Sequence, residues 1–280
     1  MTPPLGIAIF LTDKSIGPVE LARAVEDRGF ESLFVPEHTH IPVGRKTPYP
    51  GGDPLPEEYF RTYDPFAALS AAAAVTERIK LATGICLVAQ HHPINAAKSV
   101  ASIDLISNGR MVFGIGYGWN VDEMESHGTR YTERREIVRE RILAMRALWT
   151  EEQASFEGTH VHLQPSYCWP KPVQPGGPPV LIGGAAGPKM FQAIVDYADG
   201  WMPIGGRGLT ENLPKLRQVA EESGRDPDEL RITVFGAQAD PGKIEHYGEL
   251  GVERVVLWLP PAPADQVLPI LDKYTDLIAR

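Results

Sequence analysis

Short apolar runs alternate with amphipathic stretches along nearly the whole chain. Leu5 to Leu11 is rich in β-formers; the segment after it opens with Gly17-Pro18, carries Leu21, Ala22 and Val25 at helical spacing, and stops at Gly29. That is a strand followed by a helix, and the pattern recurs. Ser32 to Val35 is a second strand, and a Pro/Gly-rich excursion from Pro36 to Pro56 leads into an Ala-rich helix, Pro65 to Val75. Ile79 to Val88 reads as a third strand, with Pro93 set to begin a helix that runs to Ile106 and closes at Asn108-Gly109. Met111 to Ile115 is the fourth strand. A loop, Gly116 to Gly128, separates it from a long helix whose Val138, Ile142, Met145 and Trp149 form one apolar face.

Ser155 to Leu163 reads as a small hairpin around Gly158, and the Pro-rich stretch Pro165 to Pro179 has extended character. Val180 to Ile182 is the fifth strand, a helix opens at Gly187-Pro188, and Gly200 to Pro203 is the sixth strand. Thr210 to Ser223, Leu230 to Phe235, Pro241 to Leu250 and Arg254 to Leu259 continue as helix, strand, helix, strand. A last helix occupies roughly Ala264 to Ala279, with Pro269 blurring where its first turn begins. Eight strands, each followed by a helical pattern, make an α/β chain of the (β/α)8 TIM-barrel class. The reading is one domain over residues 1–280, with an insertion at 155–179 and a loop at 36–56 long enough to act as a lid. A doubly wound sheet is the rival, but it wants a G-x-G-x-x-G turn after its first strand, where this chain has Phe10-Leu11-Thr12-Asp13.

Composition narrows the partners. Apolar residues at 43% and charged residues at 22% match a globular protein and exclude wholesale disorder. Twenty-seven basic against 36 acidic side chains give a net charge of −9, which argues against nucleic acid. Cys86 and Cys168 lie far apart and make no disulfide or zinc framework, so a reducing, cytoplasmic setting is expected. Met1 to Leu5 lacks the basic and apolar regions of a secretory signal, and the longest apolar stretch, Phe66 to Val75, is too short to cross a membrane.

In a barrel the chemistry lies just after each strand. Strand two ends in Pro36-Glu37-His38-Thr39-His40, leaving acid, base and metal-ligand roles open. A metal site would need further ligands from later strands; none stands at the ends of strands four, five, six or eight, although His91-His92 after strand three could be recruited. The plain alternative is a pair of loop histidines. Gly84, inside a β-branched run, marks either a kink or a place where something flat nears the backbone. Gly114-Ile115-Gly116-Tyr117-Gly118-Trp119-Asn120 offers a floor and wall for a planar ligand, with core packing the alternative for Trp119. Ile182-Gly183-Gly184-Ala185-Ala186-Gly187-Pro188 brings backbone amides and a helix N-terminus together, reading as a phosphate site or as a tight turn that merely needs small residues.

Taken in order, these segments resemble the luciferase-like monooxygenase superfamily, in particular its coenzyme F420-dependent oxidoreductase branch. The carriers are Glu31 to His38, Ile79 to Ile85, Ile106 to Asn120, Ala147 to Thr150, Phe156-Glu157-Gly158, Pro170-Lys171-Pro172, and Ile182-Gly183-Gly184 leading to Asp199-Gly200-Trp201. The resemblance implies a barrel that holds a deazaflavin, or FMN in relatives, with a non-prolyl cis peptide matching Gly84-Ile85 beneath the ring. It places the cofactor on Gly84, Ile85, Gly116, Tyr117, Gly118, Trp119 and Asn120, and its phosphate on Gly183, Gly184, Ala185 and Ala186. Related enzymes carry Asp-His after strand two, where this chain has Glu37-His38. Some dehydrogenases of the branch place an acid after the strand-four glycines, where this chain has Trp119.

The function these expectations describe is an F420-dependent oxidoreductase moving a hydride between the deazaflavin and a small organic substrate. His38 would exchange the accompanying proton, as imidazoles do near neutral pH, with Glu37 orienting it. The alternatives are an FMN-dependent monooxygenase and a non-catalytic flavin-binding protein. No metal, nucleic acid or membrane is expected, and relatives suggest a homodimer.

Overall fold

Burial on both sides of each strand dictates the architecture of the computed structural model, which describes residues 2–278. The elements run β1 (Leu5–Ala8), α1 (Pro18–Asp27), β2 (Ser32–Val35), α2 (Pro65–Ala73), β3 (Lys80–Thr83), α3 (Pro93–Ile106), β4 (Met111–Ile115), α4 (Val121–Ser126) and α5 (Arg134–Thr150). They continue β5 (Ala154–Glu157), β6 (His162–Ser166), β7 (Val180–Gly183), α6 (Pro188–Tyr197), β8 (Gly200–Met202), α7 (Leu209–Glu222), β9 (Arg231–Ala237), α8 (Pro241–Glu249), β10 (Arg254–Trp258) and α9 (Ala264–Ile278). Eight parallel strands close in the order β1-β10-β9-β8-β7-β4-β3-β2, while β5 and β6 form a separate antiparallel pair.

Alternation along the strands separates two cores. Ile7, Leu33 and Leu81 point outward to the helices, and their neighbours Ala8, Phe34 and Ala82 fill the interior with Val112, Leu181, Met202, Phe235 and Val256. Both sets are almost wholly buried, so the barrel is a packed core rather than a pore.

Two elements differ from the sequence reading. β3 stops at Thr83 instead of continuing to Val88; a cis peptide joins Gly84 and Ile85, and a 3-10 turn, Val88–Gln90, follows. The loop from Gly116 to Gly128 contains α4, capped by the Asn120 side chain, which accepts from the Glu123 amide. α9 begins at Ala264, where the pattern put it, and runs through Pro269, with Val267 and Leu271 fully buried.

The end where the strands begin is tied by buried charge. Glu26 accepts the amides of Glu77, Arg78 and Ile79, and Arg110 donates to the carbonyls of Ala73, Thr76, Ile79 and Ser107. Asp104 accepts the amides of Val173 and Gln174. Burial alone would raise the Glu26 carboxyl, but three amides and the Arg78 charge hold it below the usual carboxylate range.

Candidate functional site

At the opposite end the strands open on a cavity of about 420 Å³, a size suited to a small-molecule site. Each strand contributes through the residues that follow or close it: Phe10 after β1, His38 after β2, Gly84 and Ile85 after β3, Ile204 after β8, Phe235 in β9 and Trp258 in β10. Gly116, Tyr117, Gly118 and Trp119 line it after β4, and Gly183, Gly184 and Ala185 at the end of β7.

The glycines serve a purpose the sequence did not disclose. A Cβ on Gly116 would lie 2.6 Å from Ile85 Cδ1, and one on Gly183 would lie 2.9 Å from Ile85 Cγ2. These two glycines seat the Ile85 side chain, which is only half-buried and presents an apolar surface to the cavity.

His38 is fixed at both ends. The Thr62 hydroxyl accepts from its amide and donates to its carbonyl. Its ring Nδ1 bonds Glu123 Oε2 at 2.8 Å, with both side chains buried. A carboxylate on Nδ1 makes that nitrogen the donor and leaves Nε2 for a ligand in the cavity. The other oxygen, Glu123 Oε1, is buried with no hydrogen-bond partner, as is Asn120 Nδ2. Asp122, beside Glu123, accepts from the Thr47 hydroxyl and the Thr47 and Lys46 amides, so loop 36–56 is tied to the helix that positions His38. Those bonds, led by the Thr47 hydroxyl, hold the Asp122 carboxyl down at about 2.

Glu37 does not orient His38, contrary to the sequence expectation. Its Oε1 lies 2.5 Å from His91 Nε2 and its Oε2 accepts the Leu87 amide at 2.6 Å, because alternation in the extended segment sends neighbouring side chains apart. Burial opposes both charges, but their hydrogen bond and mutual attraction win: Glu37 sits below its ordinary range and His91 above it. Burial, reinforced by Glu37, pushes the Cys86 thiol well up. Glu37, Cys86 and His91 are grouped closely enough to hold a metal ion, yet both Glu37 oxygens are already engaged.

The far end of the cavity is positive. Gly184 takes φ +146°, and its amide is spent on the Met202 carbonyl at 3.4 Å. The amides of Ala185 and Ala186 have no partner among the described residues, and Pro188 opens α6 with no side-chain cap. Arg135 stacks 4.2 Å over the Tyr117 ring, lines the cavity, and has no acid partner among the described residues. Free amides, a helix N-terminus and an unpaired guanidinium are the donor set of a phosphate site. Ala186 stands outside the cavity lining, and Asn120 is a buried helix cap rather than a cavity residue. His40 is exposed and bonds Ser126 Oγ, away from the cavity.

Sequence reasoning missed Glu123, Arg135, Phe10, Tyr59 and Trp258, and raised His91 only as a recruitable metal ligand rather than as the partner of Glu37. Phe10 and Trp258 sit at strand ends and were open to the same rule that found His38. Glu123 had no such signal, since an acid in a first helical turn ordinarily serves the helix dipole.

The family model described as luciferase-like monooxygenase matches residues 18–239. An uncharacterized protein of Mycobacterium tuberculosis is 41% identical over 98% of both chains. An F420-dependent glucose-6-phosphate dehydrogenase of Nakamurella multipartita is 28% identical, covering 81% of this chain and 66% of its own. The solved structure of a monooxygenase from Streptomyces bottropensis superposes with a TM-score of 0.78 at 21% identity, over 99% of this chain and 98% of the other.

Proposed function

We propose that the chain, which belongs to the luciferase-like monooxygenase family, is a coenzyme F420-dependent oxidoreductase that moves a hydride between the deazaflavin and a small organic substrate. The observation that carries this reading is the polarity of the cavity. A buried imidazole-carboxylate pair stands at one end, unpaired cationic and amide donors at the other, and an apolar floor at Ile85 lies between them.

The residues present fit such a cofactor. Ala185 and Arg135 would hold its phosphate at the start of α6, and Gly84, Ile85 and Trp119 would bound its ring. When bound, the deazaflavin supplies the two-electron hydride chemistry. The chain supplies the proton: His38 Nε2 takes it from, or returns it to, the reacting oxygen of the substrate, while Glu123 keeps Nδ1 protonated and stabilises the imidazolium. Glu123 thus takes the part that Glu37 was expected to play. It lies four residues beyond Trp119, the position where some dehydrogenases of the branch carry an acid. Phe10, Tyr59 and Trp119 line the cavity with apolar surface beside the His38 imidazole.

The test is a fluorescence titration of the purified chain with F420 and with FMN. Saturable binding of F420 at one site, followed by reduction or oxidation of bound F420 with a substrate panel, supports the proposal. Binding of FMN alone would replace it with the monooxygenase reading.

A further inference from the structure

We propose that the aromatic chamber beside His38 is a substrate site selective for uncharged, ring-bearing carbonyl compounds and their alcohols. The inference deepens the oxidoreductase reading and rests on it for the role of His38. A second cleft, of about 490 Å³, adjoins the main cavity and shares Phe10, Tyr59, Ile204, Phe235 and Trp258 with it. The two form one space in which the shared residues are the threshold.

An unbroken aromatic arc leads from the cleft to the imidazole. Trp258 stacks on Phe10 at 5.6 Å and 5°, Phe10 meets Tyr59 at 4.9 Å, and Tyr59 meets His38 at 5.0 Å. Phe10, Tyr59 and Trp258 are each only half-buried, and Ile204 is 66% exposed. Flat apolar surface left open beside a proton-exchanging group suits a ring whose carbonyl or hydroxyl oxygen reaches His38.

Charge decides what cannot enter. Among the described residues lining the second cleft the one charged side chain is Glu58, half-buried and without a hydrogen bond. Of the cations on the surrounding loops, Arg45 pairs with Asp53, Arg61 with Asp13 and Glu57, and Lys14 with Glu57, while Lys46 and Arg207 line neither cleft. The free guanidinium, Arg135, lines the main cavity but not this cleft. The anionic group of a phosphorylated or carboxylated substrate seated in this cleft would therefore meet a lone acid and no cation in the cleft lining.

The experiment is ligand-observed NMR on the full chain, with and without F420, using acetophenone and phenylglyoxylate, which differ by a carboxylate. The wild type is expected to bind acetophenone at least tenfold more tightly. Glu58→Lys, at a half-exposed position outside the core, should narrow that preference at least threefold while circular dichroism stays unchanged, and Phe10→Ala should weaken acetophenone. Absence of acetophenone binding, equal or tighter binding of phenylglyoxylate, or an unaltered preference in folded Glu58→Lys would overturn the proposal. The F420 titration is read separately: acetophenone held as expected by a chain that binds no F420 would overturn the cofactor reading and leave the chamber standing.

Discussion

The Glu26 and Arg110 sites at one end of the barrel and the His38–Arg135 cavity at the other handle charge in opposite ways. Where the strands begin, Arg110 meets four backbone carbonyls and Glu26 three amides, so each ion is surrounded by partners. Where the strands end, Glu123 keeps one buried oxygen without a partner, and among the described residues Arg135 lacks an acid and the Ala185 and Ala186 amides lack acceptors. An unsatisfied buried acceptor costs about 1–3 kcal/mol, whereas a hydrogen bond to a charged group contributes about 1.5–3 kcal/mol. The closed end therefore stabilises the fold, and the open end withholds stability in favour of a ligand.

That contrast breaks most visibly at His38. His38→Asn, whose side-chain amide can replace Nδ1 as the donor to Glu123, should lower turnover with F420 by about 10²–10⁴-fold, the usual worth of a general acid-base group, while leaving the urea unfolding midpoint nearly unchanged. Retained turnover would remove the proton role. Arg110→Met should do the reverse, costing about 3 kcal/mol of unfolding free energy by stranding several buried carbonyls, with F420 affinity unaffected in the folded fraction. Equilibrium unfolding and a fluorescence titration on the same sample check both halves.

A smaller effect is expected at the phosphate end. Gly184 holds φ +146° and an added Cβ would lie 2.7 Å from Met190 Cε, so Gly184→Ala should displace the loop and weaken F420 by about tenfold, or ~1.4 kcal/mol. An unchanged dissociation constant would move the phosphate elsewhere.

The smallest effect concerns pH. The raised His91 contributes stability that is complete below the ordinary histidine range and is lost as pH rises through its folded value. The lowered Glu37 contributes above the ordinary carboxylate range and loses its share as pH falls through its own depressed value. Together they favour the fold between those limits, and His91→Gln should flatten the alkaline limb of a plot of unfolding midpoint against pH.

Much of the barrel was legible because strand and helix periods differ and Pro or Gly punctuates nearly every junction. β2, α3 and β4 fall where the pattern put them, since each is bounded by such residues. β3 was drawn too long because Ile85, Leu87 and Val88 continue the apolar run after the backbone has turned at Gly84. Within the site, His38 was legible from its place after a strand. Its partner was not: adjacency favoured Glu37, whereas extended geometry sends that side chain to His91 and leaves His38 to an acid 85 residues away. Likewise Gly116 and Gly183 pointed to the cavity for a reason the sequence hid, the bulk of Ile85.

The most direct measurement is a crystal structure of the chain with F420. The phosphate is expected within hydrogen-bond distance of the Ala185 amide and of Arg135, and the ring against Ile85 with its reacting carbon facing the His38 side of the cavity. A phosphate bound at another face, or His38 turned away from the ring with Glu123 still paired to it, would contradict this placement.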